Sequence, residues 1–128
     1  MILRNLLWVG QGSFAGGVLR YLIAQLTRTH GFDGSFPGVT FTVNLPGSFL
    51  LGLIFGLSTR YSIFPDEIRL LLMVGFCGGF TTFSSFIQEN ALLLQTGQYA
   101  TIALYTLTSL IGGTVLFFLA VSLVKSFS

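Results

Sequence analysis

The chain has 128 residues, of which 8% are charged and 52% hydrophobic, with a mean hydropathy of +0.84 and a net charge of +2. A soluble domain is typically about 25% charged, so this composition excludes a soluble globular protein and points to an integral membrane protein. The single cysteine, Cys77, excludes a disulfide within the chain, and no basic patch of the kind that binds nucleic acid is present.

Four apolar stretches follow one another: Leu3–Leu26, Phe36–Leu57, Ile68–Leu94 and Tyr99–Val124. Each meets the roughly 20 residues a helix needs to cross a bilayer. The breaks between them, Thr27–Ser35, Ser58–Glu67 and Gln95–Gln98, are short and polar. The expectation is one all-α domain over residues 1–128, with four transmembrane helices and both termini on the same side.

The first stretch has Arg4 ahead of an apolar run, as a secretory signal does. It is too long for a signal core, lacks a small-residue cleavage site and carries Arg20, so it is read as a retained helix. Gly12 and Gly16 stand four apart, as do Ser13 and Gly17, a spacing that lets membrane helices approach closely. Arg20 lies near the end of the stretch. It either snorkels to the headgroups or faces a wet vestibule, where it raises the local anion concentration.

The second stretch holds Val43-Asn44-Leu45-Pro46-Gly47-Ser48, followed by the small residues Gly52 and Gly56 in step with Ser48. The Asn44 amide donates two hydrogen bonds, which suits a dehydrated anion. Equally, it can cross-link helices or satisfy backbone freed by Pro46.

The third stretch contains the most informative run, Gly75 to Phe86, which reads G-F-C-G-G-F-T-T-F-S-S-F. Adjacent glycines followed by hydroxyls are poor material for an uninterrupted helix. A broken backbone at membrane depth survives only where protein buries it or where it lines a cavity. Such a break offers carbonyls to a cation and hydroxyls to an anion. Cys77 reads as a small packing residue beside it. Phe80, Phe83 and Phe86 recur every three residues. An aromatic stripe of this kind is ordinarily packing. Yet the positive edge of a phenyl ring can also hold a small anion without a full positive charge, loosely enough to permit exit. Glu89 shares the helical face of Phe83 and Phe86, with Ser85 four residues before it. It is a functional acid, the wet end of the helix, or a partner for Arg20. In the fourth stretch Tyr105 and Ser109 offer hydroxyls at the same spacing, and Ser109 with Gly113 repeats the small-residue step. Four helices leave little room for a protein-lined route around a broken one, so a dimer is expected, with the break near the shared interface.

Together the run G-F-C-G-G-x-T-T-F-S-x-F, the upstream Asn44-Leu45-x-Gly47-Ser48-Phe49 and Gly16-x-x-x-Arg20-Tyr21 resemble the Fluc fluoride channels, also called CrcB proteins. The resemblance covers essentially the whole chain. It implies a multi-pass channel of the bacterial inner (plasma) membrane, not an enzyme, that lets fluoride leave the cytoplasm passively and so confers fluoride resistance. It implies an antiparallel, dual-topology homodimer in the lipid bilayer: a second copy in the opposite orientation, two fluoride pathways, and a structural sodium ion at the centre. By motif, the sodium would be held by backbone carbonyls of Gly78 and Thr81 of both copies. Asn44, Phe83 and Phe86 would line the fluoride pathway, with Ser85, Glu89, Tyr105 and Ser109 continuing its polar side and Arg20 near the vestibule. Ser85 stands where a threonine is frequent in the family. Gly113 replaces a hydroxyl often found one turn beyond Ser109, with Thr114 as the neighbouring substitute.

The charge pattern conflicts with that expectation at one point. Arg4, Arg60, Arg69 and Lys125 fall on the side of the termini, and Arg28, beside His30, on the other. That bias favours cytoplasmic termini, whereas an antiparallel homodimer needs both orientations. The homodimer is preferred over pairing with a separate chain. Two other readings compete. A small multidrug exporter needs an acid in its first helix, where this chain offers Arg20 and no carboxylate. In a packing subunit of a larger assembly, the break and Asn44 would serve cohesion alone. One cysteine, one histidine and no paired carboxylates leave no constellation for an intramembrane enzyme.

Overall fold

The computed structural model describes residues 1–30 and 37–127, and every regular element among them is helical. Helix α1 spans Ile2–Thr29 and helix α2 Gly38–Tyr61, with Pro46 inside it. The third unit starts as a single turn, α3 (Asp66–Arg69), and widens into an eight-residue π-helix, Leu70–Cys77. It returns to α-helix in α4 (Gly78–Phe80), breaks, and resumes as α5 (Phe83–Gln95). Helix α6 spans Tyr99–Ser126. Phe36 of the second predicted stretch and part of the first predicted break fall outside the described residues.

Three units, Gly38–Tyr61, Asp66–Gln95 and Tyr99–Ser126, are long and apolar enough to cross a membrane, which makes the chain a multi-pass membrane protein. Helix α1 matches α6 in length, at 28 residues or about 42 Å. It also carries Arg4, Asn5, Gln11, Arg20 and Gln25, and does not reach the same apolarity.

The helix ends follow from local chemistry. Pro65 precedes α3, and Asp66 and Glu67 in its first turn suit the positive end of the helix dipole. Helix α2 stops at Ser62, which adopts the left-handed conformation at φ 50°. Helix α5 closes on Gly97 at φ 73°, where the Gln98 N–H reaches the Leu93 carbonyl at 3.0 Å and the Gly97 N–H reaches the Leu94 carbonyl at 3.1 Å. This is a complete Schellman motif. It reverses the chain so that α6 runs back along α5.

Two pairings build the bundle: α2 lies along α6, and α1 lies along the π-helix and α4. The small residues singled out in the sequence sit at these crossings. A methyl group on Gly75 would lie 2.8 Å from both the Gly12 Cα and the Val9 carbonyl oxygen, so backbone meets backbone there. Across the other pair, a methyl on Gly113 would meet the Ser48 hydroxyl at 3.3 Å, and one on Gly56 would meet Val124 at 3.2 Å. Arg4 pairs with Glu67 at 3.0 Å, tying the start of α1 to α3. Together with the Gly56–Val124 approach, this gathers Arg4, Arg60, Arg69 and Lys125 at one end of the bundle, with Arg28 at the other.

Gly75→Ala is expected to cost about 2 kcal/mol, because overpacking against backbone has no side chain to yield. Gly10→Ala is the control: nothing lies within 4 Å of the added methyl, so it should be neutral or slightly stabilising. Unfolding midpoints in a detergent titration compare the two.

Candidate functional site

The break is two residues long. Thr81 (φ −86°, ψ 157°) and Thr82 (φ −148°, ψ 121°) are extended between α4 and α5. Leaving the helical path frees backbone groups that hydrocarbon cannot satisfy, and side chains from two other helices take them up. The Asn44 amide grips Thr82 at both ends: the Thr82 N–H donates to Oδ1 at 2.8 Å, and Nδ2 donates to the Thr82 carbonyl at 3.0 Å. Arg20 reaches the break from α1 and donates from Nε to the Gly79 carbonyl at 3.1 Å. Thr81 folds back on the Cys77 carbonyl through its N–H at 3.0 Å and its hydroxyl at 2.8 Å. The Thr82 hydroxyl caps α5 by accepting from the Ser85 N–H at 3.2 Å. Of the two readings of Asn44, the structure shows the cross-link to backbone. The backbone it satisfies is that of Thr82, 38 residues away, rather than that freed by Pro46. One amide N–H of Asn44 remains beyond these two bonds.

Cavities open on both sides of Thr82. The smaller one, about 300 Å³ and open along the exposed Phe83 ring, is called the inner cavity; it is lined by Asn44, Ser48, Gly78, Thr81, Phe83, Phe86 and Ser109, and no charged side chain is among its lining residues. The Ser109 hydroxyl in its wall is buried and has no hydrogen-bond partner. The outer cavity, about 660 Å³, is lined by Arg20, Thr40, Ser85, Glu89 and the end of α1. The predicted residues are thus divided between two spaces, and Tyr105 lines neither. Fully buried, Tyr105 stacks at a tilt on Phe86, with ring centroids 4.9 Å apart, and donates its hydroxyl to Glu89 Oε2 at 2.7 Å. It joins the wall of one cavity to the acid of the other.

Phe83 and Phe86 share a face, their centroids 5.8 Å apart, but Phe83 is 70% exposed while Phe86 is 7% exposed. Phe80 belongs elsewhere: the break separates it from the other two, and it stacks on Phe76 at 5.9 Å. Glu89 takes its second bond from the Thr40 hydroxyl, through Oε1. Thr40 is a residue the sequence reading missed. It stands one turn before Asn44 on α2, and that four-residue step was the available signal. Asn90 was missed too. Its Nδ2 donates to the Thr106 hydroxyl at 3.3 Å, and its Oδ1 is buried without a partner. Gly113 borders Ser48, and the Thr114 hydroxyl is bonded back to the Leu110 carbonyl at 2.7 Å.

The carbonyls of Gly78 and Thr81 lie on either side of the last helical turn before the break. Gly78 is exposed, and a methyl there would meet nothing nearer than 4.0 Å.

The family described as "CrcB-like protein, Camphor Resistance (CrcB)" matches residues 7–121. A protein of Prosthecochloris aestuarii named fluoride-specific ion channel FluC is 47% identical over 95% of this chain and 94% of its own. One of the same name from Chlorobaculum tepidum is 45% identical over 98% of both chains. A more distant one, from Leptospira interrogans, is 38% identical over 97% of both.

Asn44→Ala is expected to cost about 3 kcal/mol, because two Thr82 backbone groups lose their partners away from water. Asn44→Asp keeps the acceptor for the Thr82 N–H and should fall between it and the parent. Amide hydrogen exchange across residues 80–86 checks this. Unchanged protection in Asn44→Ala would show that Thr82 is held by something else.

Proposed function

This chain belongs to the CrcB-like family, and on that premise we propose that it is a fluoride-selective passive channel rather than an enzyme, exporting cytoplasmic fluoride across the bacterial inner membrane. The observation that carries the proposal is the inner cavity. It combines a spare N–H on Asn44 and the rings of Phe83 and Phe86, with the buried, unpartnered Ser109 hydroxyl in its wall and no charged side chain in its lining. Fluoride is small and strongly hydrated, so its route must replace water with donors. These donors do so without a full positive charge that would hold the ion too long.

Export needs no energy source beyond the membrane potential. A unit charge gains about 2.3 kcal/mol on crossing 100 mV. At about 1.4 kcal/mol per factor of ten, a negative interior sustains roughly a 40-fold depletion of a monovalent anion. In this reading α1 is the fourth membrane span, with Arg20 turned toward the break. Two copies associate antiparallel, giving two pathways. The exposed Phe83 ring and the open face at Gly78 are what a second copy would cover. The Gly78 and Thr81 carbonyls of both copies would then hold a structural sodium ion, which supplies fixed positive charge beside the break. Asn44, Phe83, Phe86 and Ser109 carry the ion through the dry part of the route. Ser85, Glu89 and Tyr105 continue it, and Arg20 stands between the outer vestibule and the break. The exporter reading is disfavoured by Glu89, whose two carboxylate oxygens are taken by Thr40 and Tyr105 and not presented to a drug cation.

Purified protein in potassium-loaded liposomes, with valinomycin to set the potential, should release fluoride rapidly while chloride stays trapped. Ser109→Ala, which removes one donor of about 1 kcal/mol, should slow fluoride efflux about fivefold without changing the melting temperature. No efflux from protein shown to be folded would overturn the channel reading.

A further inference from the structure

Asn90 lines neither cavity and has no part in the route proposed above, yet it sits where an amide is costly. On α5, Phe86, Asn90 and Leu93 follow one another at steps of four and three, and on α6 Ile102, Thr106 and Ser109 do the same. Phe86, Leu93 and Tyr105 form the buried cluster between these helices, with Ile102 packed against it. Asn90 and Thr106 are thus a polar pair set into an apolar seam. Asn90 Nδ2 donates to the Thr106 hydroxyl at 3.3 Å, while its Oδ1 is buried with no donor to accept from. An unpaired buried acceptor destabilises a fold, and a leucine at this position would carry no such penalty. Packing therefore gives no reason for the amide.

Direction gives one. Apolar contacts are non-directional, so they let two antiparallel helices slide or turn against each other at little cost. A single hydrogen bond inside the seam fixes the register, as a lone buried asparagine does in a coiled coil, at a cost in stability. The neighbouring residues show what this register serves. Glu89 precedes Asn90, Tyr105 precedes Thr106, and the Tyr105 hydroxyl donates to Glu89 Oε2 at 2.7 Å. The two bonds are consecutive rungs between α5 and α6. We infer that Asn90 and Thr106 are positioning residues: their bond sets the register of α5 on α6 that brings the Tyr105 hydroxyl to the Glu89 carboxyl group. The inference goes beyond the channel reading and rests on it only for the effect on fluoride flow.

The test compares the parent with Asn90→Leu, with Asn90→Leu combined with Thr106→Val, and with Thr106→Ser. It reads initial fluoride efflux from liposomes, the unfolding midpoint in a detergent titration, and the infrared carboxyl band of Glu89, identified by its loss in Glu89→Gln. Asn90→Leu and the double variant should slow efflux about fivefold, the equivalent of one hydrogen bond. Their unfolding midpoints should stay at or above that of the parent, because the unpaired acceptor is gone. In both, the Glu89 band should move as it does in Tyr105→Phe. Thr106→Ser keeps the hydroxyl and should match the parent in every readout. In a Tyr105→Phe background, Asn90→Leu should slow efflux no further. Parent-like efflux or an unmoved Glu89 band in Asn90→Leu overturns the inference. So does slowing that comes with a lower midpoint, which makes Asn90 a residue of cohesion alone, or full slowing that persists in the Tyr105→Phe background. A parent that releases no fluoride defeats the channel reading instead. The Glu89 band then decides the register by itself: moved in Asn90→Leu it supports the inference, unmoved it overturns it.

Discussion

The Asn44–Thr82 clamp is the interaction on which the rest of the site depends. An extended dipeptide at membrane depth exposes an N–H and a C=O that lipid cannot satisfy, and each would cost several kcal/mol if left bare. The planar amide of one asparagine offers a donor and an acceptor at the spacing of a backbone strand, so a single side chain repairs the break at Thr82. Arg20 and Thr81 take the carbonyls just before it. Once these bonds are made, α5 leaves α4 in a new direction. Both cavities border Thr82, the second residue of that break.

The same geometry sorts the polar groups by strength. On the inner side stand neutral donors and aromatic rings. On the outer side stand Arg20 and Glu89, both ionisable and both occupied by specific partners. Tyr105 connects the two sides through its ring and its hydroxyl. Movement of Glu89 would therefore be felt at Phe86, because the tyrosine between them is fully buried and has no room to absorb it. The close crossing of α1 on the π-helix serves this arrangement from behind. Glycines at Gly12 and Gly75 bring α1 near enough for the Arg20 side chain to reach the Gly79 carbonyl.

Much of this was legible in the chain. Hydropathy located the apolar stretches, adjacent glycines and threonines located the break, and four-residue steps of small residues located the crossings. Each of these signals is local, carried by residues within one or two turns of each other. What escaped was non-local or had no compositional mark. The partner of Asn44 lies 38 residues away and that of Arg20 lies 59 away, and no periodicity reports such distances. The π-helix Leu70–Cys77 has the residues of an ordinary apolar helix. The three-residue recurrence of Phe80, Phe83 and Phe86 suggested one stripe, yet recurrence implies a shared face only along an unbroken helix. The break that the same residues signalled put Phe80 in a different environment.

Placing the cations beside the smaller cavity, and not in it, would resolve a conflict that any anion route faces. A bare positive charge in a low-dielectric cavity attracts an anion strongly, by an amount that grows as water is excluded, and conduction requires that the ion leave again. In the proposed route Arg20 would lower the cost of bringing an anion to the break, while its bond to the Gly79 carbonyl holds part of its charge against a fixed dipole. Such a route would need only weak donors in the inner cavity, and its lining is of that kind: the Asn44 amide and the hydroxyls of Ser48, Thr81, Thr82 and Ser109, beside the rings of Phe83 and Phe86. In the proposed channel the break would thus supply both the space for the ion and the carbonyl that restrains the arginine. A continuous helix with the same side chains would supply neither.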